Sequence, residues 1–223
     1  MEQNSNLDSV TDGFEQPIIL SDKEIFTKIW TSPRKVFKNI NDRNYNKYVI
    51  ILLVLSGISR AFDQAITKDF GDNMSIWAIL VLCIIFGGLF GLATYWIYAA
   101  LISWTGKWLK GEGNTDSILR IISYAMIPSI VALIFLIPQI SIYGNEMFKS
   151  DGDIISAGLI SNILVYFSMF LEFVLAIWTI VLVVIGISEV QKFSIGKSIL
   201  NLLLPCLIIL VPILLIILLT KMF

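Results

Sequence analysis

The residue with most chemical potential in this 223-residue chain is Glu172, a carboxylate set inside the apolar stretch SMFLEFVLAIW that runs from Ser168 to Trp178. An acid at such a place is costly in lipid, and by default it marks a paired site, a proton relay or a ligand contact. Arg60 and Asp63 form a second ionisable pair inside an apolar run. Together the three suit charge pairing or the binding of a proton or cation. They do not suit catalysis. The chain has no histidine, so a general base would have to be Glu172, Glu112 or Glu189 alone. It has no nucleotide-binding glycine loop, no HExxH and no Ser, His and Asp set. Gly111-x-Gly113 reads as a turn signal. Cys83 and Cys206 both fall in apolar runs, where a thiol acts as a small hydrophobe. No cluster has metal-ligand spacing, so neither a zinc nor an iron site nor any other cofactor is expected.

The elements that must position these residues are membrane helices. Hydrophobic residues make up 57% of the chain and charged residues 15%, and mean hydropathy is +0.82, well outside the range of a soluble domain. A crossing takes about 20 apolar residues, and five runs meet that length: Tyr48 to Ile66, Ser75 to Trp104, Ile118 to Ile140, Leu159 to Ile187 and Ile199 to Thr220. The expected fold is all-α, a polytopic bundle of five transmembrane helices over residues 42–223. A disordered acidic tail (residues 1–21) and short amphipathic helices (residues 22–41) are expected to precede it.

Basic residues set the orientation. Lys23, Lys28, Arg34, Lys35, Lys38, Arg43 and Lys47 precede the first span, Lys107, Lys110 and Arg120 follow the second, and Lys192 and Lys197 follow the fourth. The other side holds Arg60, Lys68, Lys149 and Lys221 beside six acids. The positive-inside rule therefore places the N-terminus in the cytoplasm and, after five crossings, the C-terminus outside.

Ser21 and Glu24 have the spacing of a capping box, and Ile25, Phe26, Ile29 and Trp30 then share a face. Ser32-Pro33 reads as a second start, with Ser as cap and Pro at the first helical position. Val36, Phe37 and Ile40 continue the apolar spacing. Such helices either dip into an anionic leaflet or pack on the bundle. In the long second span, Gly87, Gly88 and Gly91 offer a small-residue face for close helix packing, or a place to bend. Pro128, Pro205 and Pro212 are expected to kink the third and fifth spans. After Gly111 and Gly113, Asp116 is a candidate cap for the next helix, and Arg120 is placed to reach interfacial phosphates.

Several of these features recur in one order: Trp30-x-x-Pro33-x-x-x-Phe37, a glycine-rich second span ending in Trp-Gly-Lys character, Gly111-x-Gly113, Tyr124-Ala-x-x-Pro128 and a Gly-x-x-Glu189 turn. In that order the chain resembles the Yip family of Ypt/Rab-interacting integral membrane proteins, over roughly residues 26–220. The resemblance implies a five-span helical domain with a cytoplasmic N-terminus, and eukaryotic members are associated with Rab GTPases and vesicle traffic. The short acidic tail in place of a long cytosolic region points to a bacterial cytoplasmic membrane.

The expected function is therefore non-enzymatic: organising or recruiting membrane components through the cytoplasmic side. Trp30, Arg34, Lys35, Phe37, Lys107, Arg120, Glu189 and Lys192 are the candidate contacts. Expected partners are membrane lipids, including anionic head groups, and other proteins or a second copy. Basic residues interleaved with aromatics beside a membrane point to head groups sooner than to nucleic acid. The alternative is a small transporter or lipid translocator working at Arg60, Asp63 and Glu172.

For that intramembrane site the topology supplies depths. Glu172 lies about 22 Å and Arg60 about 18 Å above the cytoplasmic boundary at 1.5 Å per residue. The matched depths favour an ion pair between Arg60 and Glu172, with Asp63 one turn from Arg60 able to share the cation. A substrate or proton site, and snorkelling of Glu172 to the outer interface, stay open.

Overall fold

The computed structural model of the chain describes residues 19–154 and 158–222, with side chains described up to residue 211 except at 209. The acidic tail therefore lies almost wholly outside the described residues. All regular structure among them is helical.

Two short helices come first. α1 (Asp22–Lys28) opens with the capping box foreseen from the sequence, Ser21 and Glu24 each closing on the other's backbone. α2 (Pro33–Asp42) has Pro33 in its first turn, but Ser32 makes no side-chain cap bond. Ile25, Ile29, Val36, Phe37 and Ile40 are all fully buried and share one core with Ile118, Ile121, Tyr124, Leu182 and Ile187. The apolar faces of α1 and α2 are thus taken up by the bundle.

The first span is α3 (Val49–Thr67). The second runs from Ile76 to Trp108 as α4 (Ile76–Leu82), a π turn (Cys83–Gly87) and α5 (Gly88–Trp108). The third is broken: α6 (Thr115–Ala125) stops, Met126 forms the joint, and α7 (Ile127–Tyr143) starts. Pro128 sits in the first turn of α7, where its missing N–H costs little, and the third span breaks just before it, at Met126. The proline inside α7 is Pro138. α8 (Leu159–Gln191) and α9 (Ile195–Met222) complete the bundle. Pro205 and Pro212 both fall within α9; Pro205 is buried, and the side chain of Pro212 lies outside those described.

Four of these helices are long and apolar enough to cross a membrane, and α9 adds a shorter apolar stretch over Ile195–Ile208 among the described residues. The full α9 spans about 42 Å at 1.5 Å per residue, enough for a fifth crossing. Outward faces are as apolar as the interior: Phe90, Phe173 and Ile180 are 59%, 64% and 64% exposed, an arrangement suited to a lipid solvent. The buried residues form two clusters, a larger one under α1 and α2 and a smaller one at the opposite end around Phe62, Leu136, Phe148 and Val165.

Candidate functional site

Polar residues from three spans converge in the smaller-cluster half. Ser59, Phe62, Asp63 and Ile66 recur at helical spacing on α3 and form one wall of a cavity of about 360 Å³; Ser129 and Leu133 of α7 and Glu172 of α8 contribute to the others. Ser59 Oγ donates to the Ser129 carbonyl at 3.1 Å, which ties α3 to α7. The Glu172 carboxylate accepts a 2.7 Å hydrogen bond from Nε2 of Gln139, itself 1% exposed.

Arg60 does not join this group. It is exposed, it does not line the cavity, and none of the ion pairs among the described residues involves it. The depth of Arg60 matched, but its rotation about the helix did not. Residues 59, 62, 63 and 66 share a face, and position 60 is turned well off it at about 100° per residue. The donor to Glu172 is instead Gln139, the one amide in the third apolar run, and that singularity was its sequence signal. A cavity walled by two carboxylates and two hydroxyls, with no basic side chain in its lining, is chemically fit for a proton, a small cation or a protonated amine.

The end carrying α1 and α2 is built differently. Asp22 accepts from Tyr45 at 2.5 Å, from Lys47 at 2.5 Å and from Tyr48 at 2.7 Å. These donors, Lys47 foremost, hold its carboxyl well below the usual carboxylate range. Arg120 is only 4% exposed and gives its Nε to the Asn46 side-chain oxygen at 2.7 Å, so it is a packed residue rather than a reach toward interfacial phosphates. The α6 cap is Asn114, in a reciprocal box with Ser117, and Asp116 lies within the first turn. Phe37 is buried beside Gly186. Trp30 is half-buried. Arg34, Lys35 and Lys107 are exposed, and Glu189 pairs with Lys192 at 3.2 Å.

Compared with known protein families, the chain matches the Yip1 domain over residues 27–217. It belongs to the Yip1 domain family. No curated protein and no solved structure matches it. The matched region takes in the end of α1, the whole cavity and most of α9, so the acidic site and the α1–α2 end both lie within the Yip1 domain.

Two glycine sets hold this Yip1 domain together. A Cβ on Gly57 would lie 2.3 Å from the Gly87 carbonyl oxygen and 2.6 Å from Gly91 Cα, and one on Gly91 would lie 2.5 Å from Gly57 Cα. The face of Gly87 and Gly91 is thus occupied by α3 of the same chain, and Gly88 lies against Val54. Gly111 and Gly113 serve a socket rather than a tight turn. With Gly106 they surround Gln191: a Cβ on Gly106 or Gly111 would meet that side chain at 2.1 or 2.2 Å, and one on Gly113 would lie 2.7 Å from Val190 Cγ1. Gln191 is fully buried, accepting from Gly113 N–H at 2.9 Å and donating to the Ile102 carbonyl at 3.4 Å. Asn201, also fully buried, accepts from Thr105 at 3.0 Å and donates to the same carbonyl. Sequence reading singled out the glycines and missed their amide partners, since a lone Gln in a polar connection carries no pattern of its own.

Proposed function

We propose that this Yip1 domain protein is a non-enzymatic multi-pass membrane protein that recruits protein partners and anionic lipid head groups on the face built by α1 and α2, with its N-terminus in the cytoplasm and its C-terminus outside. One observation carries the reading: α1 and α2 are seated in the core by their apolar sides, so Arg34, Lys35 and Lys38 are displayed, exposed, on a fixed scaffold. None of the three is in an ion pair among the described residues. Native co-purification of the full-length protein in mild detergent, beside a variant carrying Arg34→Glu, Lys35→Glu and Lys38→Glu, tests it. Partners and co-purifying anionic lipid are expected to fall away in the variant. Equal recovery from both proteins overturns the reading.

A second reading, transport or lipid translocation, is favoured by the cavity that joins Asp63 and Glu172. Proteoliposomes with a trapped pH dye and an imposed potential test its simplest form. A proton flux that Asp63→Asn with Glu172→Gln abolishes supports transport, and the absence of flux in the wild type counts against it.

A further inference from the structure

Two cavities lie against α8 on the side of the α1–α2 connection. The first, about 520 Å³, is walled by Ser32, Pro33, Arg34 and Lys35 with Ile185 and Ile195 opposite. The second, about 360 Å³, is walled by Trp30, Val174, Leu175, Ile177 and Trp178. On α8, Val174, Trp178 and Ile185 fall within about 40° of one line and span about 16 Å, close to the depth of one hydrocarbon leaflet. On the other wall, Trp30 is followed directly in the chain by the residues of the first cavity. The two cavities are therefore successive stations of one track, cationic at the end toward α9 and wholly apolar at the other. Val174 and Ile177, on the apolar stretch, are 45% and 47% exposed on a membrane-spanning helix, so the track opens sideways to lipid.

We infer that this track binds one anionic phospholipid, its phosphate held by Arg34 and Lys35 and one acyl chain laid along Val174, Trp178 and Ile185. Charge complementarity selects that occupant. Arg34 and Lys35 are exposed, unpaired by any acid among the described residues, and no carboxylate lines either cavity. The first turn of α2 lacks a side-chain cap and adds the positive end of its dipole at the same mouth. A free phosphate would use the mouth and leave the apolar track empty; a neutral lipid would use the track and leave two cations unanswered. Only a lipid with a net negative head answers both walls.

This inference rests on the reading of the α1–α2 face as the basic, lipid-contacting one, and its test separates the two. Delipidated full-length protein in mild detergent is titrated with dioleoylphosphatidylglycerol or dioleoylphosphatidylcholine and followed by native mass spectrometry. The wild type is expected to hold one phosphatidylglycerol selectively. Arg34→Gln with Lys35→Gln is expected to weaken it about ten- to thirty-fold, from the worth of two basic residues near a lipid head. Leu175→Trp, which fills the track without touching the cations, is expected to lower occupancy as well, while Lys107→Gln with Lys110→Gln leaves it unchanged. If Arg34→Gln with Lys35→Gln weakens binding and Leu175→Trp does nothing, the basic face stands and the track falls. If no variant prefers the anionic lipid, both fall. Full displacement by glycerol phosphate overturns the lipid as occupant in favour of a bare phosphate site.

Discussion

The two halves of this bundle differ in what their polar groups face: a packed core under α1 and α2, and a cavity in the other half. Under α1 and α2, Gln191 and Asn201 converge on the Ile102 carbonyl, Ser103 donates to the Gly113 carbonyl and Ser188 donates to the Phe193 carbonyl at 2.7 Å, while the Tyr124 hydroxyl and Arg120 Nη1 are buried without a hydrogen-bond partner. In the other half, buried Ser59 and Gln139 are bonded too, and the acids lie at the cavity: half-buried Glu172 has one hydrogen bond, from Gln139, and exposed Asp63 has none among the described residues. There the packing opens into the cavity instead of closing over the acids. Satisfied polar networks fix one structure and are costly to disturb. Unanswered polar groups in a cavity contribute little to folding and are where departures from local consistency mark function. The buried amide network therefore contributes mainly to stability, and substitutions at the acids that line the cavity are expected to cost less.

That contrast is broken most strongly from the closed side. Phe37 is fully buried against α6 and α8, and Phe37→Ala should cost about 3 to 5 kcal/mol, read as a large fall in the thermal midpoint of the full-length protein in detergent. Gly57→Val acts on the seam of α3 with the second span. Its new Cβ would meet backbone atoms of Gly87 and Gly91, which cannot turn away, so a cost of about 3 kcal/mol is expected, with loss of the folded peak in size-exclusion chromatography. Gln191→Leu keeps most of the volume but strands the buried Gly113 N–H; about 2 kcal/mol is expected. A thermal midpoint unchanged by Gln191→Leu would remove the socket from the account of stability.

The open side should respond far less. Glu172→Gln keeps an acceptor for Gln139 and removes a charge from a span, so stability should move by less than about 0.5 kcal/mol in either direction. A loss comparable to that of Gln191→Leu would show that the acidic half is as interlocked as the other and would end the comparison.

How much of this was legible follows from what periodicity can carry. Apolar run length located the first four spans to within a few residues, because a crossing has a fixed minimum length. The Ser21 and Glu24 spacing gave the start of α1, since that box is purely local. Pro128 marks the break of the third span two residues before it, because a proline just past a helix end cannot continue that helix. The Arg60 and Glu172 pairing failed because counting from span ends fixes height but not rotation, and the rotation of α3 is set by Gly57 meeting Gly87 and Gly91 across a distance no window covers.

The smallest effect belongs to the exposed anchor of α1, and it is read best through pH. Asp22 is held below the ordinary carboxylate range by Lys47, then by Tyr45 and Tyr48, and Glu24 is pulled down to about 2, mainly by Lys28. A lowered acid contributes stability that is present above its unfolded pKa and lost as pH falls through the folded one. Tyr45 is pushed up to about 12 by burial and by Asp22, and Lys47 is also raised, chiefly by its bond to Asp22. Raised groups contribute below their unfolded values and lose that contribution as pH rises through the folded ones. The anchor is therefore constant between about pH 5 and pH 9 and weakens at both ends. In Asp22→Asn the acid-side weakening should shrink to the part due to Glu24, and the alkaline weakening should shrink as well because Tyr45 and Lys47 lose the anion that raised them. Protease cleavage in the 29–32 connection, followed across that range, checks both edges. Identical profiles for the two proteins would show that α1 is held by its apolar face alone.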